Sequence, residues 1–434
     1  MNITTVESKR AGEQYYVVEH PSGLHIMIYP KPGFHSAYAV FGTRYGSIDT
    51  RFRRSDESDV SEVPAGIAHF LEHKLFENED CDAFARYAKT GASANAYTSF
   101  DMTCYLFSCT RNVYDSLEIL LDFVQAPYFT EQTIEKEQGI IGQEIRMYED
   151  DPSWRGMFNL LRSMYHVHPV KTDIAGTVES IASITPEMLY RCYNTFYNLH
   201  NMVLCIAGNV EVEKALEVAD RVLKPCDHVE VERAFPQEPS QIVQPYIEER
   251  LPVLFPLFQF GFKEELDHSG EAGEAEIDIL LELMASDASP LFRSLLDQGL
   301  VNESSFGYDH FAGTGYNAIL FSGESRDPKA VAKAICDEAE RLRREGIGED
   351  AFSRAQKAVY GRTLSALNSS DSIANGMASL YFRGQELFRY IDAVASATVE
   401  DVQRRLEKMM RAEYSALSVI LPKEETKRIG GNKS

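Results

Sequence analysis

The sequence predicts an α+β protein built from two homologous domains, each a sheet covered by helices, joined by a linker. The chain has 434 residues, which is more than one hydrophobic core usually supports and suits two domains of about 200 residues each. Strand-like and helical segments follow one another along the first half, and parts of the second half repeat them. We place the N-terminal domain at residues 1–221, the linker at 222–246 and the C-terminal domain at 247–434.

Strands and then helices open the N-terminal domain. Residues 15–30 flank a Pro-Ser-Gly turn and predict two strands, and residues 37–46 predict a third. A helix is predicted over residues 65–76, because Pro64 suits a first helical turn and the apolar positions recur at helical spacing. Another helix is predicted from Ala83 to Lys89.

A strand pair and two longer helices come next. Residues 91–109 are rich in Thr, Tyr, Phe and small residues and poor in charge, which is typical of paired strands. Residues 112–125 predict an amphipathic helix. A longer helix is predicted from Glu131 to Glu149, with Thr130 as its N-cap.

The end of the N-terminal domain is expected to be less regular at first. From Pro152 to residue 175 the sequence predicts irregular structure, followed by a helix near residues 185–196 and a strand at 201–208. His166 and His168 stand in the segment Y-H-V-H-P, which is loop-like and has no accompanying carboxylate cluster. We therefore do not predict a metal site at these two histidines.

The sequence also indicates a linker between the domains and a repeat that relates them. Residues 222–246 carry four prolines and mixed charge, as interdomain linkers often do. The segment that starts at Thr185 aligns without gaps with the segment that starts at Thr398, and both predict a helix followed by a closing strand. The segment from Phe129 similarly aligns with the segment from Ile347, with apolar positions shared.

Composition excludes several classes of function. A hydrophobic content of 44% and a charged content of 25% are ordinary for a globular enzyme, and no apolar stretch is long enough to span a membrane. The net charge of −23 without a basic stripe argues against nucleic-acid binding. The seven cysteines form no C-x-x-C, and the chain start lacks an apolar signal core, so we expect a reducing cytoplasm.

The segment A-G-I-A-H-F-L-E-H-K-L-F, residues 65–76, holds the candidate chemistry. In a helix, His69 and His73 are one turn apart on one face, with Glu72 beside them. Two imidazoles so placed can bind one metal ion, and the carboxylate can take a proton from a water molecule on the ion. The alternative is a structural pair of histidines, solvated or satisfied in the core.

Two glutamates of the helix predicted from Glu131 to Glu149 are candidates for a third metal ligand. Glu137 and Glu144 are seven residues apart and therefore lie on nearly one stripe of that helix. A catalytic zinc ion is typically held by three protein groups, and two His with one Glu is one such set. Most helical Glu side chains are only solvated, so this choice depends on the histidine motif.

The second half keeps the pattern of elements but not the ligands. In the aligned helices Glu137 meets Ala355 and Glu144 meets Arg362. Aligning Gly91 with Gly299 places His69, Glu72 and His73 near Ile277, Leu280 and Leu281. We infer a duplication in which one half keeps metal chemistry and the other serves as wall and substrate support.

The strand pair at residues 91–109 leaves two interpretations open. If one of its strands lies at a sheet edge, a substrate peptide could add to it through backbone hydrogen bonds. Equally, the segment could be an ordinary internal hairpin.

Three segments together resemble the pitrilysin/insulinase (inverzincin) family of zinc metallopeptidases. They are H-F-L-E-H-K-L-F-E, S-A-N-A-Y-T-S and E-K-E-Q-G-I-I-G-Q-E-I-R-M-Y-E-D-D-P, in the order and spacing of that family. The resemblance extends over nearly the whole chain and is greatest to short bacterial members related to mitochondrial processing peptidase.

The resemblance implies a role for each candidate residue. One Zn²⁺ per chain would be bound by His69, His73 and Glu144. Glu72 would be the general base, supported in catalysis by Glu137 behind the ligands. Asn95 and Ala96 match the strand with which the family binds substrate.

One departure from the family bears on the quaternary structure. Active single-chain or homodimeric relatives carry an Arg and a Tyr seven residues apart in the second domain, and these hold the substrate backbone. Here Arg293 matches the Arg, but Leu300 stands at the Tyr position and cannot donate a hydrogen bond. The resemblance therefore implies a heterodimer with a homologous zinc-free subunit, with a homodimer as the other option.

The expected function is that of a zinc-dependent endopeptidase or oligopeptidase that hydrolyses peptides or unfolded segments, leader peptides among them. The alternative, from a different class, is a non-catalytic scaffold or binding subunit that retains the fold. The intact set of His69, Glu72, His73 and Glu144 favours the enzyme, because a scaffold does not need these side chains.

Overall fold

The computed structural model describes residues 2–79 and 82–423 and has an α+β fold. The strands are β1 (Ile3–Ser8), β2 (Glu13–Glu19), β3 (His25–Pro30), β4 (Ala37–Thr43), β5 (Arg51–Arg54), β6 (Ser61–Glu62), β7 (Ser93–Thr98), β8 (Thr103–Cys109), β9 (Met202–Gly208), β10 (Val231–Arg233), β11 (Tyr246–Leu251), β12 (Leu257–Lys263), β13 (Gly307–Gly313), β14 (Tyr316–Glu324) and β15 (Ser415–Pro422).

The helices surround these strands. They are α1 (Ile67–Leu75), α2 (Ala83–Thr90), α3 (Val113–Val124), α4 (Glu131–Glu149), α5 (Pro152–Met164), α6 (Val178–Ile181), α7 (Pro186–Phe196), α8 (Val212–Val222), α9 (Gly270–Ala285), α10 (Pro290–Asp297), α11 (Pro328–Glu345), α12 (Glu349–Ala366), α13 (Ser370–Phe382), α14 (Leu387–Ser396) and α15 (Val399–Leu406). The last part of the predicted C-terminal domain, residues 424–434, and Cys81 lie outside the described residues.

Two large sheets share one strand order over five strands, and the first sheet has two further strands, β1 and β2. The first has the strand order β1-β2-β3-β9-β4-β8-β7, and the second has the order β11-β15-β12-β14-β13. In each sheet the strand that closes the half, β9 or β15, pairs in parallel with β3 or β11 and antiparallel with β4 or β12. The two halves are therefore structural repeats, and the predicted fold of two homologous sheet-plus-helices domains is confirmed.

The caps of the repeated helices follow the predicted alignment. Thr185 and Thr398 are both N-caps, and their side chains accept hydrogen bonds from backbone N–H groups of α7 and α15. In α4 the buried positions include Ile134 and Ile141, and their counterparts Phe352 and Val359 are buried in α12. The same spacing of apolar residues thus seats the same helix in each half.

The structure places the counterparts of the histidines on α9 one residue from the approximate positions given by the alignment. Glu282 forms an ion pair with Arg362, the counterpart of Glu144, and so takes the place that we assigned to Leu281. Asp278, one turn earlier, then takes the place assigned to Ile277. The position that faces Arg362 is therefore acidic rather than apolar.

The segment predicted to be irregular after Pro152 contains the helix α5, so that prediction is wrong. Pro152 occupies the first turn of α5, where its missing N–H costs nothing. The Asp151 side chain caps the helix by accepting from the backbone N–H groups of Ser153 and Trp154. Asp151 and Pro152 together are therefore a typical helix start.

Each half covers the sheet of the other with one helix. Helix α5 of the first half packs on β12 and β15, and helix α13 of the second half packs on β4 and β9. The approach of α5 is close at Gly156, where an added Cβ would lie 3.3 Å from Cγ of Gln259. Because the helices are exchanged, neither sheet is fully covered by residues of its own half.

The segment between the halves is anchored rather than free. Strand β10 pairs antiparallel with β5 of the first half. Farther on, the buried Lys263 of β12 donates to Glu238 and to the carbonyl oxygens of Pro239 and Gln241, at 2.6, 2.7 and 3.1 Å. Contacts with both halves therefore anchor this segment at residues 231–233 and 238–241. Among the described residues, no helix combines the length and apolar character that crossing a membrane requires.

Candidate metal centre

Helix α1 carries the histidine motif, and its start is set by tight backbone packing. The predicted helix over residues 65–76 is confirmed as Ile67–Leu75. Gly66 precedes it with a φ of 88°, and a Cβ there would lie 2.3 Å from the carbonyl oxygen of Ala175. Only glycine suits this position. The loop that contains Ala175 therefore fixes where α1 begins.

Polar and apolar side chains of α1 are buried together. Phe70 and Leu71 are 0% exposed, and His69 and Glu72 are each only 8% exposed. Apolar side chains of α1 pack into the core, while the side chains of the histidine motif lie on the side of α1 that faces β7 and α4. A buried polar group needs a partner to offset its lost hydration, so the contacts of these side chains are informative.

The two imidazoles converge on the carboxylate of Glu144. The ligand atoms of His69, Glu72 and His73 lie within 4.8 Å of one another. Nε2 of His69 lies 3.7 Å from Oε1 of Glu144, and Nε2 of His73 lies 3.5 Å from Oε2. These separations are too long for good hydrogen bonds. They suit groups that share one ion, since zinc binds nitrogen and oxygen at about 2.0–2.2 Å.

The protonation state of His69 favours metal binding. Burial, assisted by the neighbouring His73, lowers the pKa of His69 to about 3. The ring is therefore neutral at ordinary pH, which is the form that binds a metal. Its Nδ1 is buried without a hydrogen-bond partner in the described structure.

His73 is oriented by Glu137. Its Nδ1 lies 3.1 Å from Oε1 of Glu137, which leaves Nε2 directed towards Glu144. Burial opposes the charged ring, but the hydrogen bond to Glu137 and the nearby carboxylates raise the pKa of His73 above its ordinary value. Burial likewise opposes the charged form of Glu137, yet the bond from His73 lowers the pKa of this carboxyl. This arrangement is typical of a ligand held by a carboxylate behind it.

Glu72 has the properties of a general base that works near neutral pH. Burial raises the pKa of its carboxyl to about 7, although His73 and Thr98 partly oppose the shift. The hydroxyl of Thr98 donates to Oε2 of Glu72 at 3.2 Å. A base whose pKa lies near the working pH is the most effective proton acceptor.

Helix α4 places the side chains of Glu137 and Glu144 beside the histidine motif of α1. Thr130 caps it as predicted, with its hydroxyl accepting from the N–H of Thr133. Glu137 meets His73, and Glu144 meets both histidines. The structure therefore brings together every residue that we predicted for metal binding and proton transfer.

The predicted substrate residues lie in two different places. Asn95 and Ala96 are in β7, the edge strand of the first sheet, where Oδ1 of Asn95 accepts from the N–H of Ala96 at 2.9 Å. Arg293 lies on α10 in the second half and donates to the carbonyl oxygen of Asp287. Arg293 makes no hydrogen bond or ion pair with the metal cluster in the described part of the chain. The open question about residues 91–109 is resolved as a hairpin whose outer strand is an edge.

His166 and His168 do not form a metal site with other residues described by the structure. Nδ1 of His168 accepts from the N–H of Val170, and its Nε2 lies 3.1 Å from the carbonyl oxygen of Thr314. This ring is satisfied by the backbone, in agreement with our interpretation of the segment as a loop.

Sequence reasoning missed Tyr148, Trp154 and Thr98. The hydroxyl of Tyr148 donates to Oε1 of Glu144 at 2.8 Å, and Trp154 stacks on Tyr148. The spacing of four residues between Glu144 and Tyr148 could have indicated this contact. No such signal exists for Thr98, because it reaches Glu72 from a different element.

Comparisons with known proteins agree with this geometry. The family model described as Insulinase (Peptidase family M16) matches residues 59–178, and the model described as Peptidase M16 inactive domain matches residues 183–359. The second match covers much of the half in which the counterpart of Glu144 is Arg362. The boundary between the two models lies before β9 of the first sheet, so each model matches most of one half without following the limits of the structural repeat.

Individual relatives and structures are also similar to the chain. The Uncharacterized zinc protease YmfH of Bacillus subtilis (strain 168) is 40% identical, over 97% of this chain and 100% of its own. A protein of Arabidopsis thaliana named as a mitochondrial-processing peptidase subunit beta is 31% identical over 36% of this chain and 30% of its own. The crystal structure of an M16-like peptidase from Alicyclobacillus acidocaldarius matches with a TM-score of 0.92 and 36% identity, over 97% of this chain and 100% of that one. The chain therefore belongs to the insulinase family, peptidase family M16.

Proposed function

We propose that the protein is a zinc-dependent endopeptidase or oligopeptidase that hydrolyses peptides or unfolded segments. The observation that carries this proposal is the convergence of two imidazole Nε2 atoms on the carboxylate of Glu144, with the buried Glu72 beside them. In this proposal His69, His73 and Glu144 hold one zinc ion.

Each side chain of the site has a distinct role in the proposed reaction. Zinc, when bound, polarises the peptide carbonyl and lowers the pKa of water. Glu72 accepts a proton from the attacking water and later returns it to the leaving amine, as its pKa of about 7 allows. Thr98 holds one carboxylate oxygen of Glu72, and Glu137 holds the Nδ1 side of His73.

The edge strand β7 supplies a place for the substrate. It pairs with β8 on one side, and no described strand pairs with its other side. We propose that a peptide in extended form adds to this edge at Asn95 and Ala96, because backbone hydrogen bonds give affinity with little dependence on side chains. Such a mode favours unfolded segments over folded proteins.

The domains and the partner form part of the same proposal. Residues 1–221 would be the catalytic zinc domain, 222–246 the linker, and 247–434 a repeat without metal ligands. The leucine at position 300 supports a heterodimer with a homologous zinc-free subunit, in which Arg293 contacts the substrate backbone, over a homodimer. Removal of a leader peptide is one reaction that suits such an enzyme. The free cysteines among the described residues support a reducing compartment such as the cytoplasm.

The test replaces one side chain and measures two quantities. Glu72→Gln keeps the size of the side chain but removes its ability to accept a proton, so we expect full zinc content with cleavage of an unfolded peptide lost. Glu135→Gln, at an exposed position of α4, is the matched control and should retain activity. Turnover by Glu72→Gln at the wild-type rate would eliminate the mechanism. A wild-type protein that binds no zinc and cleaves nothing, even with its partner, would favour the scaffold.

A further inference from the structure

A chain of side-chain contacts leads outward from Glu144. The hydroxyl of Tyr148 donates to Oε1 of Glu144 at 2.8 Å, one turn farther along α4. The ring of Tyr148 stacks on Trp154, with centroids 4.8 Å apart and planes inclined by 20°. The indole N–H of Trp154 in turn donates to Oδ2 of Asp173 at 2.5 Å. Glu144 is thus connected to a residue nineteen positions beyond Trp154 in the sequence.

Asp173 belongs to the loop against which the histidine helix begins. Its other oxygen, Oδ1, accepts from the N–H of Ala175 at 3.0 Å. The carbonyl oxygen of Ala175 lies against Gly66, and a Cβ on Gly66 would lie only 2.3 Å from that oxygen. Residues 173–176 therefore contact both the start of α1 and Trp154 in the first turn of α5.

Loop 173–176 is also fixed to α1 from its other side. Gly176 lies so close to Ala65 that a Cβ on Gly176 would be 2.5 Å from the carbonyl oxygen of Ala65. The hydroxyl of Ser180 donates to the same carbonyl oxygen at 2.8 Å. The helix that carries His69 and His73 is consequently linked to the helix that carries Glu144 through this loop, Trp154 and Tyr148.

We propose that Tyr148 and Trp154 are positioning residues that hold Glu144 in place for the metal, an inference that rests on the proposed zinc site. A glutamate side chain has several rotamers, and a fixed ligand requires that one of them be selected. The Tyr148 hydroxyl selects it, and the stack on Trp154 fixes the plane of the Tyr148 ring. Groups of this kind behind metal ligands commonly change metal affinity by about 10–100-fold.

Trp154 also provides an optical signal, because it is the only tryptophan in the chain. Its ring lies against Tyr148, and Tyr148 contacts a proposed ligand directly. Zinc held by Glu144 would share this carboxylate with the hydrogen bond from Tyr148. The surroundings of the indole therefore change with metal occupancy, and the tryptophan emission of the whole protein reports on this one site.

The experiment titrates the metal-depleted full-length protein with zinc while tryptophan emission and bound zinc are both measured. In the wild type we expect emission to change in a saturable way that is complete at one zinc per chain. Tyr148→Phe keeps the stack but removes the hydroxyl, and it should bind zinc about 10–100-fold more weakly. Trp154→Phe keeps an aromatic ring but loses the bond to Asp173, and it should weaken zinc binding in the same direction.

The matched control is Tyr246→Phe, because Tyr246 also donates to a glutamate, at 2.7 Å from Glu248, but does so on β11 in the second half. This variant should bind zinc as the wild type does, with the same emission change. Wild-type zinc affinity in folded Tyr148→Phe and Trp154→Phe would overturn the inference, as would zinc binding to the wild type without any change in emission. A wild type that binds no zinc at all would instead refute the proposed function.

Discussion

The hydrogen bond between Glu137 and His73 allows a prediction about two measured quantities, the zinc affinity and the pH at which that affinity declines. The change is Glu137→Gln, which preserves the shape of the side chain and an oxygen that can accept from Nδ1 of His73. It removes the negative charge that now lies 3.1 Å from that nitrogen. The variant therefore tests the charge of Glu137 rather than its bulk.

The expected loss of zinc affinity follows from the kind of bond that is weakened. A hydrogen bond to a charged group contributes about 1.5–3 kcal/mol, which corresponds to about 10–150-fold in an equilibrium constant. Replacement of carboxylates behind metal ligands costs about 10–100-fold in metal affinity. We therefore expect Glu137→Gln to bind zinc about 10–100-fold more weakly than the wild type at a pH where His73 is neutral in both.

The variant should also differ from the wild type in the pH at which zinc affinity declines. The bond to Glu137 and the nearby carboxylates raise the pKa of His73 above its ordinary value, despite burial. A proton competes with the metal for this ring below that pKa, so zinc binding to the wild type weakens as the pH falls through a raised value. Without the charge of Glu137 the pKa of His73 falls. The decline in zinc affinity should then begin at a lower pH in the variant.

Zinc affinity is measured by competition with a chelator across the pH range, for the wild type, Glu137→Gln and the exposed control Glu135→Gln. The control lies on the same helix and should match the wild type at every pH. The reasoning is refuted if Glu137→Gln retains wild-type affinity at high pH, or if its acid-side decline stays in place or moves to a higher pH.

Two further predictions concern proton transfer and stability. Thr98→Val removes the bond that lowers the pKa of Glu72, so the acid-side midpoint of kcat/KM for peptide cleavage should move to a higher pH. An unchanged midpoint would show that Thr98 does not act on Glu72. Lys263→Met breaks a buried ion pair with Glu238 and should lower the free energy of unfolding by about 3 kcal/mol, measured by urea denaturation. The exposed Lys333→Met should change it by less than about 0.5 kcal/mol, and equal losses in both variants would contradict this account.

Local patterns predicted most of the elements around the site. The helix over residues 65–76 and the helix from Glu131 to Glu149 follow from caps and from apolar residues at helical spacing, which are properties of neighbouring residues in the chain. The strand pair at residues 91–109 and the alignment of Thr185 with Thr398 rest on equally local signals. Because a helix turns every 3.6 residues, the spacing of His69 and His73 also determined that they share one face.

Other features could not be predicted because they depend on contacts between distant segments. The segment after Pro152 is a helix partly because the opposite sheet accepts it, as the close approach of Gly156 to β12 shows. The register of α9 depends on its packing against α12, which brings Glu282 rather than Leu281 to the position that faces Arg362. The place of Arg293 in a complete active site stays a prediction, since no contact within the chain joins it to the cluster.

The sequence by itself determined which side chains are available to hold a metal and to move a proton, since residue type and helical spacing decide both. Only the tertiary structure decided that Glu144 meets both imidazoles and that Glu72 is buried enough to have a pKa near 7. The physical reason is that proximity and burial are properties of packing. They depend on how α1, α4 and β7 come together, and these elements are separated along the chain by loops whose paths no local pattern specifies.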